Sequence, residues 1–113
     1  MQIYGIKNCD TVKKALKWLD ENDQSYIFHD FKKKSITPQL VDEWFKEVAL
    51  EKLINKRGTT WRQLDESRKN FDDLVALKQL VIDNPTLVKR PVVNHQGKWF
   101  VGFKADDWQS QFL

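Results

Sequence analysis

The stretch that decides the fold is residues 3–29, IYGIKNCDTVKKALKWLDENDQSYIFH. Its first four residues form a short apolar run that is typical of a buried strand. After a polar turn, apolar residues recur at the spacing of one helix face, at Val12, Ala15, Leu16 and Leu19. Asn22-Asp23 ends this helix, and residues 25–29 are rich in strand formers. A helical crossover between two strands predicts a parallel βαβ unit.

The middle of the chain predicts further helices. Thr37-Pro38 supplies an N-cap and a first-turn proline for one helix. Its buried face is expected to hold Val41, Trp44, Phe45 and Val48. A short helix over residues 49–54 and a loop over residues 55–61 should follow. Another helical pattern begins with Phe71, Leu74, Val75 and Leu77, and Asn84-Pro85 closes it.

The end of the chain predicts a β-hairpin and a last helix. A strand starts at Val92, residues 95–98 carry a turn signal, and residues 99–103 form the return strand. Residues 105–112 have the pattern of a short amphipathic helix. Helices inserted between a βαβ unit and a ββα unit predict an α/β, thioredoxin-like fold with about four mixed strands flanked by helices. We expect one domain over residues 1–113, with the helical insertion at about 37–85.

Composition and charge narrow the functional classes. Apolar residues make up 41% and charged residues 31% of the chain, a balance that indicates a globular protein rather than a disordered one. The sequence shows neither a transmembrane-length apolar run nor a signal-peptide pattern, and it has one cysteine. We therefore expect a cytoplasmic protein without membrane contact. The net charge of +3 is mild, and the basic run Lys32, Lys33 and Lys34 predicts a solvated loop rather than a nucleic-acid site.

Cys9 is the candidate catalytic residue. It lies between the first strand and the first helix, where free backbone N–H groups and the helix dipole stabilise a thiolate. Lys7, Lys13 and Lys14 add positive potential, whereas Asp10 opposes it. The alternative is a small buried apolar cysteine.

The absence of a second cysteine from the sequence excludes an intramolecular disulfide, so an oxidised Cys9 would need an external thiol. One cysteine with two widely spaced histidines does not predict a metal site. We expect His29 to be structural and His95 to be a solvated residue of the turn.

Three motifs carry a resemblance to a known family. They are Tyr4-Gly5-Ile6-Lys7-Asn8-Cys9-Asp10-Thr11-Val12-Lys13-Lys14-Ala15, Arg57-Gly58-Thr59-Thr60-Trp61-Arg62 and Lys89-Arg90-Pro91. In this order and spacing the chain resembles the arsenate reductase (ArsC)–Spx family, and most closely its bacterial YffB subgroup. The resemblance covers essentially the whole chain and implies a thioredoxin-like fold with a helical insertion.

The resemblance also implies functional residues. Cys9 matches the catalytic cysteine of the glutaredoxin-coupled arsenate reductases, and Arg57 and Arg90 match two of their three oxyanion-handling arginines. Pro91 matches the proline that borders the substrate site, and we assign Asn8 and Thr11, which flank the thiol, to substrate binding. The third arginine would fall around Gly102-Phe103, where this sequence has none. Its loss should weaken arsenate binding.

Three functions follow as hypotheses. The first is a glutathione-dependent monothiol reductase with Cys9 as nucleophile, no bound cofactor, and a small anionic or disulfide substrate. Glutathione is then the co-substrate, glutaredoxin is an alternative partner, and the protein is expected to be a monomer. The second is a degenerate glutaredoxin-coupled arsenate reductase. The third is a non-catalytic protein-binding regulator, like Spx contacting RNA polymerase, which would use the helical insertion or Trp108 if that side chain is exposed.

Overall fold

A computed structural model describes residues 1–31 and 36–113 of the chain. The strands are β1 (Gln2–Gly5), β2 (Ile27–Asp30), β3 (Val92–His95) and β4 (Lys98–Val101). The α-helices are α1 (Asp10–Glu21), α2 (Pro38–Glu47), α3 (Leu50–Leu53), α4 (Thr59–Arg62), α5 (Leu74–Asp83) and α6 (Ala105–Phe112). Short 3-10 helices lie at Glu66–Arg68 and Pro85–Leu87. The predicted loop at Lys32, Lys33 and Lys34 lies outside the described residues.

The chain divides into two compact units. The first consists of Met1–Lys34 and Arg90–Leu113 and holds the four strands with α1 and α6. The second, Ser35–Lys89, holds α2 to α5. The single-domain organisation of residues 1–113 stays a prediction. Within the described ranges, no helix is long and apolar enough to cross a membrane.

The strands of the first unit form one mixed sheet in the order β2-β1-β3-β4. β1 and β2 run parallel, as the βαβ pattern predicts, with Ile3 opposite Phe28. β3 runs antiparallel to β1, with Val92 opposite Tyr4, and β4 returns antiparallel to β3. The thioredoxin-like class predicted from the sequence is confirmed.

Helices α1 and α6 pack against the sheet through an apolar cluster. Its buried members are Ile3, Ala15, Leu19, Val93, Trp108 and Phe112. Trp108 is only 3% exposed and meets the rings of Trp18, Phe103 and Phe112 edge-on at centroid distances of 4.8–5.7 Å. Trp108 therefore belongs to the core, and the exposure that a docking role would require is not met.

The helices of the second unit follow the predicted pattern in part. Thr37 caps α2, since its Oγ1 accepts a hydrogen bond from the backbone N–H of Leu40 at 3.2 Å. Val41 and Trp44 are fully buried, as their spacing predicts. Residues 59–61, predicted as loop, instead form most of α4, where Trp61 packs edge-on against Phe71.

Helix α5 begins later than the apolar pattern predicts. The Asp73 carboxylate accepts a hydrogen bond from the Ala76 N–H at 3.1 Å, so Asp73 is the N-cap and Phe71 precedes the helix. Leu74 and Val75 are consequently in the first turn, 50% and 82% exposed, and outside the core. The cap decides the start of the helix here, because the first backbone N–H groups of a helix need acceptors from outside it. The pattern of apolar residues does not show where such an acceptor lies.

The predicted hairpin forms with a tighter turn and a shorter return strand. Gln96 and Gly97 both have positive φ, 53° and 80°, which matches the twist of the flanking strands. The return strand stops at Val101, because Gly102 takes φ 83° and donates its N–H to the Pro91 carbonyl at 2.8 Å. Phe103 is therefore outside the strand.

Gly5 controls the distance between β1 and α1. A Cβ at this position would lie 2.9 Å from Cγ2 of Val12, a fully buried residue with a stiff side chain. We expect Gly5→Ala to lower the free energy of unfolding by about 1–3 kcal/mol through overpacking. In a Val12→Ala background the same substitution should cost far less, which urea unfolding of the four proteins measures as a double-mutant cycle. Equal costs in both backgrounds would contradict this contact.

Candidate functional site

Cys9 is fixed at the junction of β1 and α1. Its backbone N–H donates to the Ile6 carbonyl at 3.1 Å, which closes the turn after the strand. Its own carbonyl accepts from the Lys13 N–H at 2.9 Å, so Cys9 is the N-cap of α1. The side chain is half-buried, whereas Lys7, Asn8, Asp10 and Thr11 are exposed. The thiol is therefore anchored by the backbone and still reaches solvent.

The pKa of the Cys9 thiol lies below its ordinary value. Partial burial raises the pKa, but the groups around the thiol lower it by more. These groups are the Val12 N–H, the Arg90 guanidinium, which acts through a hydrogen bond and its charge, and the Thr11 N–H. The sulfur lies outside regular capping geometry, so the two amides act on it as weak donors at the positive end of the helix. The arrangement favours a thiolate, the nucleophilic form of cysteine.

The pairing of β1 with β3 brings Arg90 to Cys9. Tyr4 lies opposite Val92, so the segment that follows Tyr4 converges with the one that precedes Val92. Pro91 is buried, follows a cis peptide bond, and is tied to Gly102 through its carbonyl. Arg90, predicted as a substrate ligand, thus contacts the nucleophile itself. Sequence reasoning missed this contact because it depends on strand register.

Arg57 belongs to the second unit. Its N–H donates to Oδ1 of Asn55 at 3.3 Å, in the turn that precedes Gly58 and α4. The Asn55 N–H donates to the Leu87 carbonyl at 2.7 Å, which fixes the start of that turn. Its role as a substrate ligand stays a prediction, as do the roles of Asn8, Thr11 and Pro91.

Both histidines have structural contacts. The His29 ring stacks on Tyr4, with centroids 4.6 Å apart, and hydrogen-bonds to Oε1 of Gln2. His95 was expected to be solvated but is partly buried, with its ring 5.0 Å from Phe112. Among residues 1–31 and 36–113, no group of three or more His, Cys, Asp or Glu side chains could hold a metal ion.

Arg90→Met should raise the pKa of Cys9, because it removes a hydrogen bond and a positive charge that stabilise the thiolate. The measurement is the pH dependence of the iodoacetamide alkylation rate. Arg90→Lys should fall between the wild type and Arg90→Met, since it keeps the charge but not the guanidinium geometry. Arg68→Met, at an exposed arginine outside the three motifs, is the control and should leave the profile unchanged. A profile for Arg90→Met that overlays the wild type would contradict the contact.

The lowered pKa also predicts how stability depends on pH. Between the pKa of folded Cys9 and its ordinary value of about 8.5, the unfolded chain binds more protons than the folded one. The free energy of unfolding, measured relative to Cys9→Ser, should therefore rise with pH through this range and be fully gained above it. It should be lost as the pH falls through the lowered pKa. Chemical denaturation across neutral to alkaline pH tests this, and a flat difference would show that folding does not favour the thiolate.

Known proteins match this chain in structure or in sequence over nearly its whole length. The YffB protein superposes with a TM-score of 0.91 at 39% identity, covering 99% of this chain and 98% of that one. An arsenate reductase (ArsC) related protein from Brucella melitensis superposes with a TM-score of 0.78 at 45% identity, covering 98% and 92%. The global transcriptional regulator Spx of Staphylococcus haemolyticus is 28% identical over 109 residues, covering 93% of this chain and 81% of its own. The model of the ArsC family matches residues 4–111, so the chain belongs to the ArsC family.

Proposed function

We propose that this chain is a thiol-dependent oxidoreductase in which Cys9 is the nucleophile and glutathione is the co-substrate. The observation that carries the proposal is the meeting of Cys9, the N-terminus of α1 and the Arg90 guanidinium, which together lower the pKa of the thiol. A cysteine with a purely structural role would not need groups that lower the pKa of its thiol. Membership of the ArsC family supports a redox role for a cysteine in this position.

The first step is thiol–disulfide exchange. The Cys9 thiolate attacks the glutathione sulfur of a mixed disulfide, forms a new S–S bond, and releases the other sulfur as a thiolate. The leaving thiolate takes its proton from solvent. Because Cys9 is only partly buried, a substrate disulfide can reach it without unfolding of α1.

The second step needs a thiol from outside the chain. Cys9 is the only cysteine in the sequence, so no second thiol of the protein can resolve the mixed disulfide. A further glutathione thiolate attacks the glutathione sulfur bound to Cys9, which forms oxidised glutathione and returns the Cys9 thiolate. Over both steps one substrate disulfide is reduced and one glutathione disulfide is made, so the electrons balance.

Arg90 serves both steps in this mechanism. Before attack its guanidinium stabilises the thiolate, and in the mixed disulfide this anionic partner is gone. The guanidinium can then hold a carboxylate of glutathione through paired N–H donors. Arg57 stays a predicted ligand for a carboxylate of glutathione or of an anionic substrate, and we assign Asn8, Thr11 and buried Pro91 to the border of the substrate site. Glutaredoxin could replace glutathione in the second step, because it offers the same chemical group.

The two alternatives have weaker support. An arsenate reductase would use the same thiol, but the chain lacks an arginine at Gly102-Phe103 to complete the set of three that the resemblance implies. A regulator like Spx would bind a partner without turnover, and Trp108 is buried in the core and does not offer a surface for one. Each alternative needs a feature besides the lowered pKa of Cys9: a third arginine for arsenate reduction, and a partner-binding surface for regulation.

The test is turnover of a glutathione mixed disulfide by purified protein, followed as glutathione disulfide formed. Cys9→Ser should lose turnover altogether, because a hydroxyl is not ionised at neutral pH. Arg90→Ala should retain part of kcat and mainly raise the KM for glutathione. Arg68→Met, at an exposed arginine outside the three motifs, is the matched control and should keep both constants. Substantial turnover by Cys9→Ser would refute the mechanism, and arsenate consumption with glutaredoxin at a comparable rate would favour the second function.

A further inference from the structure

Three exposed lysines lie close to Cys9 in the sequence, and the mechanism above does not use them. Lys7 precedes Cys9 by two residues, and Lys13 and Lys14 lie in the first turns of α1. All three side chains are exposed. In α1 the residues that turn into the core are Val12, Ala15 and Leu19, so Lys13 and Lys14 lie on the other faces of the helix. We call Lys7, Lys13 and Lys14 the lysine collar.

The charges of the collar are not neutralised locally. Among the described residues, the ion pairs formed by lysines are Lys17–Glu21, Lys69–Glu66 and Lys78–Asp42, none of which includes the collar. Within residues 7–14 the only carboxylate is Asp10. Asp30 lies opposite Gly5 but is half-buried and engaged in an interaction of its own. The segment that carries the thiol, residues 7–14, therefore has a net positive charge.

The collar is close enough to act on a substrate at Cys9. Lys13 is four residues along the helix from Cys9, an axial rise of about 6 Å, and Lys14 is about 7.5 Å along it. Both values lie within the Debye length of about 8 Å at physiological salt. Exposed charges contribute little to stability, but a cluster of one sign raises the association rate of an oppositely charged ligand.

We propose that the lysine collar selects disulfides that carry carboxylates next to the reacting sulfurs. This inference rests on the proposed function, since it concerns the substrate of the same thiol. The collar attracts the carboxylates while the Cys9 thiolate forms the new S–S bond and the other sulfur leaves as a thiolate. Two sources offer this chemistry, oxidised glutathione and a peptide or protein disulfide flanked by acidic residues.

The test compares an anionic and a neutral disulfide in a single exchange step. Dithiobis(nitrobenzoate) carries two carboxylates, and dithiodipyridine is uncharged at neutral pH. We expect Lys7→Gln/Lys13→Gln/Lys14→Gln to slow the anionic probe by roughly three- to tenfold relative to the neutral probe. The neutral probe corrects for any change in the amount of thiolate. High salt should remove most of the wild type's preference for the anionic over the neutral probe. In the triple variant it should change the ratio of the two rates little.

Lys17→Gln is the matched control. Lys17 is exposed on the same helix one turn beyond Lys13, but its charge is offset by Glu21 at 3.9 Å. The ratio of the two rates should stay at the wild-type value in this variant. A fall as large as that of the triple variant would mean that total protein charge, not the collar, sets the preference, and would overturn the inference.

The outcomes separate this inference from the proposed function. If the neutral probe reacts with Cys9 no faster than with free cysteine, the proposed function fails and the collar has no role. If the neutral probe reacts fast but the ratio is the same in wild type and triple variant, the collar inference fails and the proposed function stands. Repeating the comparison with oxidised glutathione and with a glutamate-flanked peptide disulfide then identifies the source. Slowing of either supports the inference, and slowing of neither overturns it.

Discussion

The pairing of β1 with β3 is the constraint on which the rest of the first unit depends. It joins residues 2–4 to residues 92–94, which are separated by the whole second unit in the sequence. Ile3 and Val93 face each other in this ladder, and both are fully buried under α1 and α6. The apolar cluster therefore fixes the register, because a slip of one residue would turn these side chains to the opposite face of the sheet. With the register fixed, Arg90 and Cys9 have to meet.

This meeting explains how one thiol can be activated without a neighbouring histidine. The stabilising groups come from two places: the backbone amides at the start of α1 and the guanidinium that precedes β3. None of them needs to accept a proton, so the thiolate is favoured by fixed charge and dipoles rather than by a general base. When one positive group is removed from such a site, the pKa of the thiol rises, but Cys9 is still present as the nucleophile.

Much of this architecture could be predicted from the sequence, and the parts that could not have identifiable causes. The α1 stripe, the Thr37 cap and the turn before β4 are local signals, carried by residues within a few positions of one another. The start of α5 is not given by such a signal. The apolar pattern begins at Phe71, whereas the helix begins after Asp73, which caps it.

For the candidate site, the sequence indicated Cys9 at a helix N-terminus but not the role of Arg90 beside it. The contact of Arg90 with the sulfur depends on the pairing of Tyr4 with Val92 across the sheet, and no local pattern encodes that register. The burial of Trp108 was also beyond local pattern. It depends on which face of α6 meets Trp18 and Phe103, although the helix itself was predicted correctly.

The charge that a substrate brings to the thiol separates the two catalytic functions. A disulfide is uncharged at the reacting sulfurs, and its leaving sulfur develops a single negative charge beside a site that already holds Arg90. Arsenate arrives with more than one negative charge and competes with the thiolate for the same guanidinium. With no arginine at Gly102-Phe103, this chain has fewer cationic groups to divide between the two anions. These cationic groups therefore suit disulfide exchange better than arsenate reduction, and in the proposed mechanism the lysine collar adds attraction for the carboxylates of the substrate.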